Sequence, residues 1–264
     1  MSKTSTSTAT AAQATPSIAP SNDRALLSAF TASQVFATFV FVNMLKAISQ
    51  FDDIKGALAF YGVYHADPWN QLIHFFGVPG IIYTALIFFA FLPLPVIGAK
   101  HPALTWNLAC CTFYLVYYLS IDAFGALMYT PFLYAMYATA KYFYENDQRA
   151  AAHALAKKTD EKVATSVPWY GTGRVFAYAF ALHVFAWYIQ IHLGHSIFEG
   201  AKPALMQSLS GAITVAPLFA FYEGLWFFGI NQELQNQTVA LVEQYTKELC
   251  TSGEIAIRAC NQYV

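Results

Sequence analysis

Four of the seven histidines in this 264-residue chain stand in two short polar clusters at the ends of long apolar runs. His65 and His74 lie in YGVYHADPWNQLIHFFGVPG (61–80), with Asn70 four residues before His74. His192 and His195 lie in WYIQIHLGHSIFEG (187–200), with Gln190 before them and Glu199 after. Neutral imidazole is a common ligand for iron and zinc, and a neighbouring amide or carboxylate commonly fixes its tautomer. On an α-helix His192 and His195, three apart, share a face, which Glu199 joins or caps four residues on; Asn70 and His74 pair in the same way. His65 precedes Pro68, belongs to the preceding element, and must fold back to reach His74. The chemistry this suggests is a metal held by His65, His74, His192 and His195, with Asn70, Gln190 and Glu199 orienting them. The competing reading, imidazoles at headgroup level binding water or phosphate, suits a single histidine better than two pairs that meet.

Whether the pairs meet depends on the elements that carry them. The chain is 57% hydrophobic and 11% charged, with a mean hydropathy of +0.41. Soluble domains carry about 25% charged residues. Apolar runs at 77–99, 103–120, 123–140, 174–193 and 204–230, the first three free of charge and the last two carrying only Arg174 and Glu223, predict an all-α, polytopic membrane bundle of about five transmembrane helices. A sixth run at 25–44, richer in Ser, Thr, Gln and Asn, reads as an interfacial or membrane-inserted helix. If the first four spans alternate, the entry of the first and the exit of the fourth share a membrane face, and the two histidine clusters can converge.

The predicted organisation is a disordered Ser/Thr-rich segment (1–24), the N-terminal helix (25–50), a polytopic catalytic domain (51–234) and a C-terminal surface helix and tail (235–264). The charged linker 144–168 reads as a solvated helical loop. His101 and His153 read as surface residues, and His183, in mid-span, as a neutral histidine packed between helices. Asp122 sits between spans two and three as a turn residue or a further ligand. Glu223 faces a protein interior, because a carboxylate in lipid is costly. Cys110, Cys111, Cys250 and Cys260 show no spacing that indicates a disulfide framework or a thiolate metal site. A formal net charge of −1 argues against a nucleic-acid partner.

The motifs Tyr61-Gly62-x-Tyr64-His65, Asn70, His74 and Val78-Pro79, followed by Trp187-x-x-Gln190-Ile191-His192-x-Gly194-His195-x-Ile197-Phe198-Glu199-Gly200 and Pro203-Ala204-Leu205, are identifiable together. They resemble the fungal endoplasmic-reticulum 2-hydroxy fatty acid dioxygenases of phytosphingosine degradation and the wider membrane family related to them. The resemblance runs from about Phe51 to Leu234. It departs at Leu193 and Ala201, where relatives often carry Pro and Arg. It implies a multi-pass endoplasmic-reticulum enzyme using Fe(II) and O2, without 2-oxoglutarate. Long-chain 2-hydroxy fatty acids would be shortened by one carbon with release of CO2. His65, His74, His192 and His195 would hold the iron, and Tyr61 or Tyr64 would hydrogen-bond the substrate head, with Glu199 beside them. A 2-hydroxy carboxylate can chelate a metal while its tail stays in membrane lipid, and no nicotinamide or flavin motif is present.

Two other classes remain open on the residues alone. A zinc-dependent membrane amidohydrolase of ceramide-like lipids would use three histidines, a carboxylate and an activated water. A non-catalytic lipid-binding membrane protein would hold no metal. Basic residues between Tyr144 and Arg174 favour a cytosolic linker by the positive-inside tendency, which would put the histidines on the lumenal face, but the linker is partly acidic and a miscounted hairpin at Asp122 would reverse the assignment, so both orientations stay open.

Overall fold

The computed structural model describes residues 24–51, 53–98, 100–101, 103–157, 167–252 and 260. The predicted disordered segment, the middle of the linker and most of the tail lie outside these. The described residues form an all-α membrane bundle with one isolated bridge, Pro93 to Thr105, and no named strand. Its helices are α1 (Arg24–Lys46), α2 (Ile54–Gly62), α3 (Pro68–Ala90), α4 (Trp106–Ile121), α5 (Ala123–Ala156), α6 (Arg174–Tyr188), α7 (Leu209–Thr214), α8 (Ala216–Phe227) and α9 (Gln232–Ser252). A π-helical segment, Ile189–Glu199, prolongs α6.

Among the described residues three helices are long and apolar enough to cross a membrane: Arg24–Ser49, Pro68–Ala90 and Arg174–Glu199. The N-terminal run, the marginal one by composition, is thus one of the three. Its Val35, Phe36, Phe39 and Leu45 are exposed, a stripe that suits contact with lipid rather than water. Span one is shifted: the helix begins at Pro68 and ends at Ala90, rather than running from Gly77 to Ala99. Asp67 caps it by accepting from Trp69 N (2.8 Å) and Asn70 N (3.1 Å), with Pro68 in the first turn. Pro93 and Pro95 lie in the non-helical stretch beyond its end.

Span five is not one helix but α7 and α8. Pro217 has no N–H to offer Ile213 O one turn back, and the Tyr114 hydroxyl of α4 donates to that carbonyl instead (2.8 Å). Tyr118 does the same for Thr214 O (2.7 Å), so α4 is clamped to the break. Asp122 is the N-cap of α5, accepting from Gly125 N (2.8 Å) and from the Tyr222 hydroxyl. It is not in the histidine cluster.

The linker is less solvated than its composition suggests. It continues α5 to Ala156, and Asp147 and Gln148 are buried: Asp147 accepts from Thr172 N (2.8 Å) and Gln148 donates to Trp169 O (3.0 Å). Cys250 and Cys260 form a disulfide that their spacing did not indicate. His101 and His153 are exposed.

α3 is the central helix, in contact with α4, α5, α6, α8 and the π-helical segment. In mid-bundle it is tied to α6 through His183. Trp187 Nε1 can only donate, so His183 Nε2 accepts from it (3.0 Å). Nδ1 then carries the proton and donates to Thr84 Oγ1 (2.7 Å), whose own hydrogen goes to Gly80 O (2.8 Å). His183 is therefore an uncharged, saturated link between helices. α9 lies across α2 with Leu234, Thr238, Val242 and Thr246 buried, a spacing of four that defines one helical face.

Candidate metal centre

The turn between α2 and α3 carries the first ligand candidate. Tyr64 N donates to Tyr61 O (3.1 Å) and His65 N to Gly62 O (3.0 Å), so the chain winds past the end of α2 before Asp67 and Pro68 start α3. This brings His65 back over the first turns of α3, where Gln71 Nε2 holds its carbonyl (2.7 Å). His74 is on the inner face of α3, and His195 reaches in from the π-helical segment.

The three imidazoles meet. The ring centroids of His65 and His74 are 4.5 Å apart, those of His74 and His195 4.8 Å, and those of His65 and His195 5.0 Å. One ring nitrogen from each lies within 4.8 Å of the others, and all three residues are buried. His65 Nδ1 is 2.8 Å from Tyr61 O and His74 Nδ1 is 2.9 Å from Asn70 O. A carbonyl only accepts, so Nδ1 is protonated in both and Nε2 keeps its lone pair. His65 Nε2 is buried without a partner, and so is His195 Nδ1. Burial first, then His74 and His195, hold the His65 imidazole well below its ordinary range, so it is a neutral donor at pH 7. Three neutral imidazoles with unspent lone pairs suit a divalent transition metal, for which His65, His74 and His195 would be the protein ligands.

His192 is not among them. It is exposed and its ring stacks on Tyr188 at 5.2 Å. The π-helix explains the difference: its turn closes at five residues rather than four, so positions three apart no longer share a face. The buried positions of the segment are Gln190, Gly194, His195 and Glu199, which recur at four to five residues as this wider turn requires.

The residues expected to orient the ligands do so by another route. Glu199 touches no imidazole; its Oε1 accepts from Ala66 N (3.0 Å), and its Oε2 from Asp67 N (3.0 Å) and Asn70 Nδ2 (2.9 Å). It fastens the π-helical segment to the turn that carries His65. Asn70 acts through its backbone carbonyl on His74 and through its amide on Glu199, and its Oδ1 is buried without a partner. Gln190 donates to Ala186 O (2.9 Å) and packs on Gly77, where a Cβ would come within 2.6 Å of its amide. Tyr61 stacks its ring on His65 at 4.7 Å, while Tyr64 packs edge-on against Phe60 and lends its carbonyl to Asn70 (3.4 Å).

Gly194 is the signal that spacing alone left unread. A Cβ there would fall on Asn70 Oδ1, closer than real Cβ contacts come, and 3.3 Å from the His74 ring. Alanine in place of glycine inside a helix ordinarily stabilises by about 0.5–1 kcal/mol. Here the sign should reverse, with Gly194→Ala destabilising by roughly 1–3 kcal/mol and weakening metal binding about tenfold. Thermal unfolding and a metal titration of the variant read both, and a stabilised Gly194→Ala would show that the two helices are not in tight contact.

The site borders an apolar exterior. Leu72, Phe75 and Phe76 on α3, and Ile191 and Ile197 on the π-helical segment, are exposed beside it.

Residues 51–225 match the family described as 2-hydroxy-palmitic acid dioxygenase Mpo1-like. The chain belongs to the Mpo1-like family. It is 25% identical over 183 residues to the 2-hydroxy-palmitic acid dioxygenase MPO1 of Saccharomyces cerevisiae, covering 69% of this chain and 86% of that one. No solved structure matches. The matched region contains the three clustered histidines, His65, His74 and His195, and stops short of α9.

Proposed function

We propose that this protein is an Fe(II)-dependent dioxygenase of the α-oxidation of long-chain 2-hydroxy fatty acids, acting as a multi-pass protein of the endoplasmic-reticulum membrane in sphingoid-base catabolism. The observation that carries the reading is the buried triad His65, His74 and His195, with free lone pairs, on helices that also carry exposed apolar side chains. Membership of the Mpo1-like family supports the substrate class. In the overall reaction a 2-hydroxy acid and O2 give the acid one carbon shorter, CO2 and water. Carbon 2 rises from alcohol to carboxyl, carbon 1 leaves as CO2, and the substrate supplies all the electrons that O2 takes up.

The bound iron would supply the redox centre at which O2 and the 2-hydroxy carboxylate meet. The chain's own residues do the rest. Tyr61 O and Asn70 O each hold an imidazole by its Nδ1 proton, which aims the opposite nitrogen inward. Glu199 keeps the two halves of the site at fixed separation. The stacked ring of Tyr61 and the tilted ring of Phe219, 5.6 Å from His65, keep water from that imidazole.

The test is metal analysis of anaerobically purified protein together with O2 uptake on 2-hydroxypalmitic acid. Near-stoichiometric iron, uptake that depends on the hydroxy acid, and a product one carbon shorter are expected. Zinc without O2 uptake would replace this reading with the amidohydrolase, and protein without metal would leave a lipid-binding role.

A further inference from the structure

One buried carboxyl near the site has no structural employment. Phe219 and Glu223 lie four residues apart on α8 and so share a face. The Phe219 ring is 5.2 Å from Tyr61 and 5.6 Å from His65, so this face of α8 is the one turned toward the histidines. Tyr222, next to Glu223, points elsewhere, donating to Asp122. Both carboxyl oxygens of Glu223 are buried, and neither has a hydrogen-bond partner. The Tyr61 phenol senses the group: burial first, and the Glu223 charge second, push its pKa up.

The contrast with Glu199 is instructive. That carboxylate spends its oxygens on three donors and holds the fold together. Glu223 spends none, and a buried carboxyl without partners weakens the protein that carries it. Such a residue is compensated when a ligand brings a donor to it. The substrate class inferred above has one donor that an ordinary fatty acid lacks, the hydroxyl on carbon 2.

We propose that Glu223 accepts the hydrogen bond of the substrate's 2-hydroxyl, and that it is the residue by which the site separates 2-hydroxy fatty acids from unsubstituted ones. The proposal rests on the functional reading given above. A site built to bond a substrate hydroxyl discriminates strongly against the analogue without it, because its own polar group is then left unpaired. Glu223 makes no covalent bond in this role. It sets the position of carbon 2 relative to the histidines.

The experiment measures binding of 2-hydroxypalmitic and palmitic acid to the iron-loaded, detergent-solubilised protein without O2, in wild type, Glu223→Gln and Glu223→Leu. The wild type should prefer the hydroxy acid. Glu223→Gln, which keeps a carbonyl acceptor, should retain that preference to within about threefold, whereas Glu223→Leu should lose at least about tenfold of it by binding the hydroxy acid more weakly. Palmitic acid affinity and iron content should be unchanged in the Leu variant, and its melting temperature equal or higher, since an unpaired buried polar group has been removed. An unchanged preference in Glu223→Leu, or loss of its iron, overturns the proposal and leaves the functional reading intact. A wild type with no preference for the hydroxy acid overturns both. Should Glu223→Leu fail to fold, Glu223→Met carries the same expectation.

Discussion

Replacing His65, His74 or His195 by alanine should each strip the purified protein of metal, lowering its content more than about tenfold, and abolish substrate-dependent O2 uptake. His192→Ala should keep both. The asymmetry follows from position: three rings within 5.0 Å of one another in a buried pocket against one exposed ring on Tyr188. A shell of three imidazoles has no spare ligand, so loss of any one leaves two. Metal analysis of the four variants decides the matter. Metal lost equally from His192→Ala would return that residue to the site and place the π-helical register in error.

Glu199→Ala should be the most damaging substitution for stability. It leaves two half-buried backbone N–H groups, those of Ala66 and Asp67, without their acceptor, and the buried Asn70 amide with only its long bond to Tyr64 O (3.4 Å). A buried donor left unpaired costs about 1–3 kcal/mol, and with two of the three half-buried the sum is roughly 3 kcal/mol. For a protein of this size that corresponds to a fall in melting temperature on the order of 10 °C. Glu199→Gln should lose part of this, because its amide nitrogen faces a donor where the carboxylate offered an acceptor. A Glu199→Ala protein that melts within a degree of wild type would show that the clasp carries no load.

The histidine triad was largely legible in the residue order. His65, His74 and His195 all lie in the two polar clusters at the ends of apolar runs, and the structure brings these three together. What was not legible is what α-helical spacing cannot express. His192 sits three residues from His195 and shares its face on an α-helix but not on the π-helix that forms, and Gly194 and Gly77 mark where the helices come unusually close. The roles of Asn70 and Glu199 were partly hidden because each acts through backbone groups, Asn70 by its carbonyl and Glu199 on the N–H groups of the turn. Hydropathy presented five main runs, where three described helices, one of them the marginal N-terminal run, are long and apolar enough to cross a membrane, and it did not mark their ends. Asp67 and Pro68 start α3 ahead of the apolar run, and Pro217 divides what composition presents as one continuous span.

The covering of α2 by α9 bears on where this chain can be cut. The family match ends at residue 225, yet the face of α2 that leads into Tyr61 and His65 is sealed by residues beyond it, with Gly62 so close under Val242 that a Cβ there would come within 2.7 Å. A protein trimmed to the shared region would retain all three histidines. It would also lose the cover that Val242 gives Gly62, on the helix that leads into the first of those histidines. The segment recognised by kinship thus stops short of the helix that covers its own first helix.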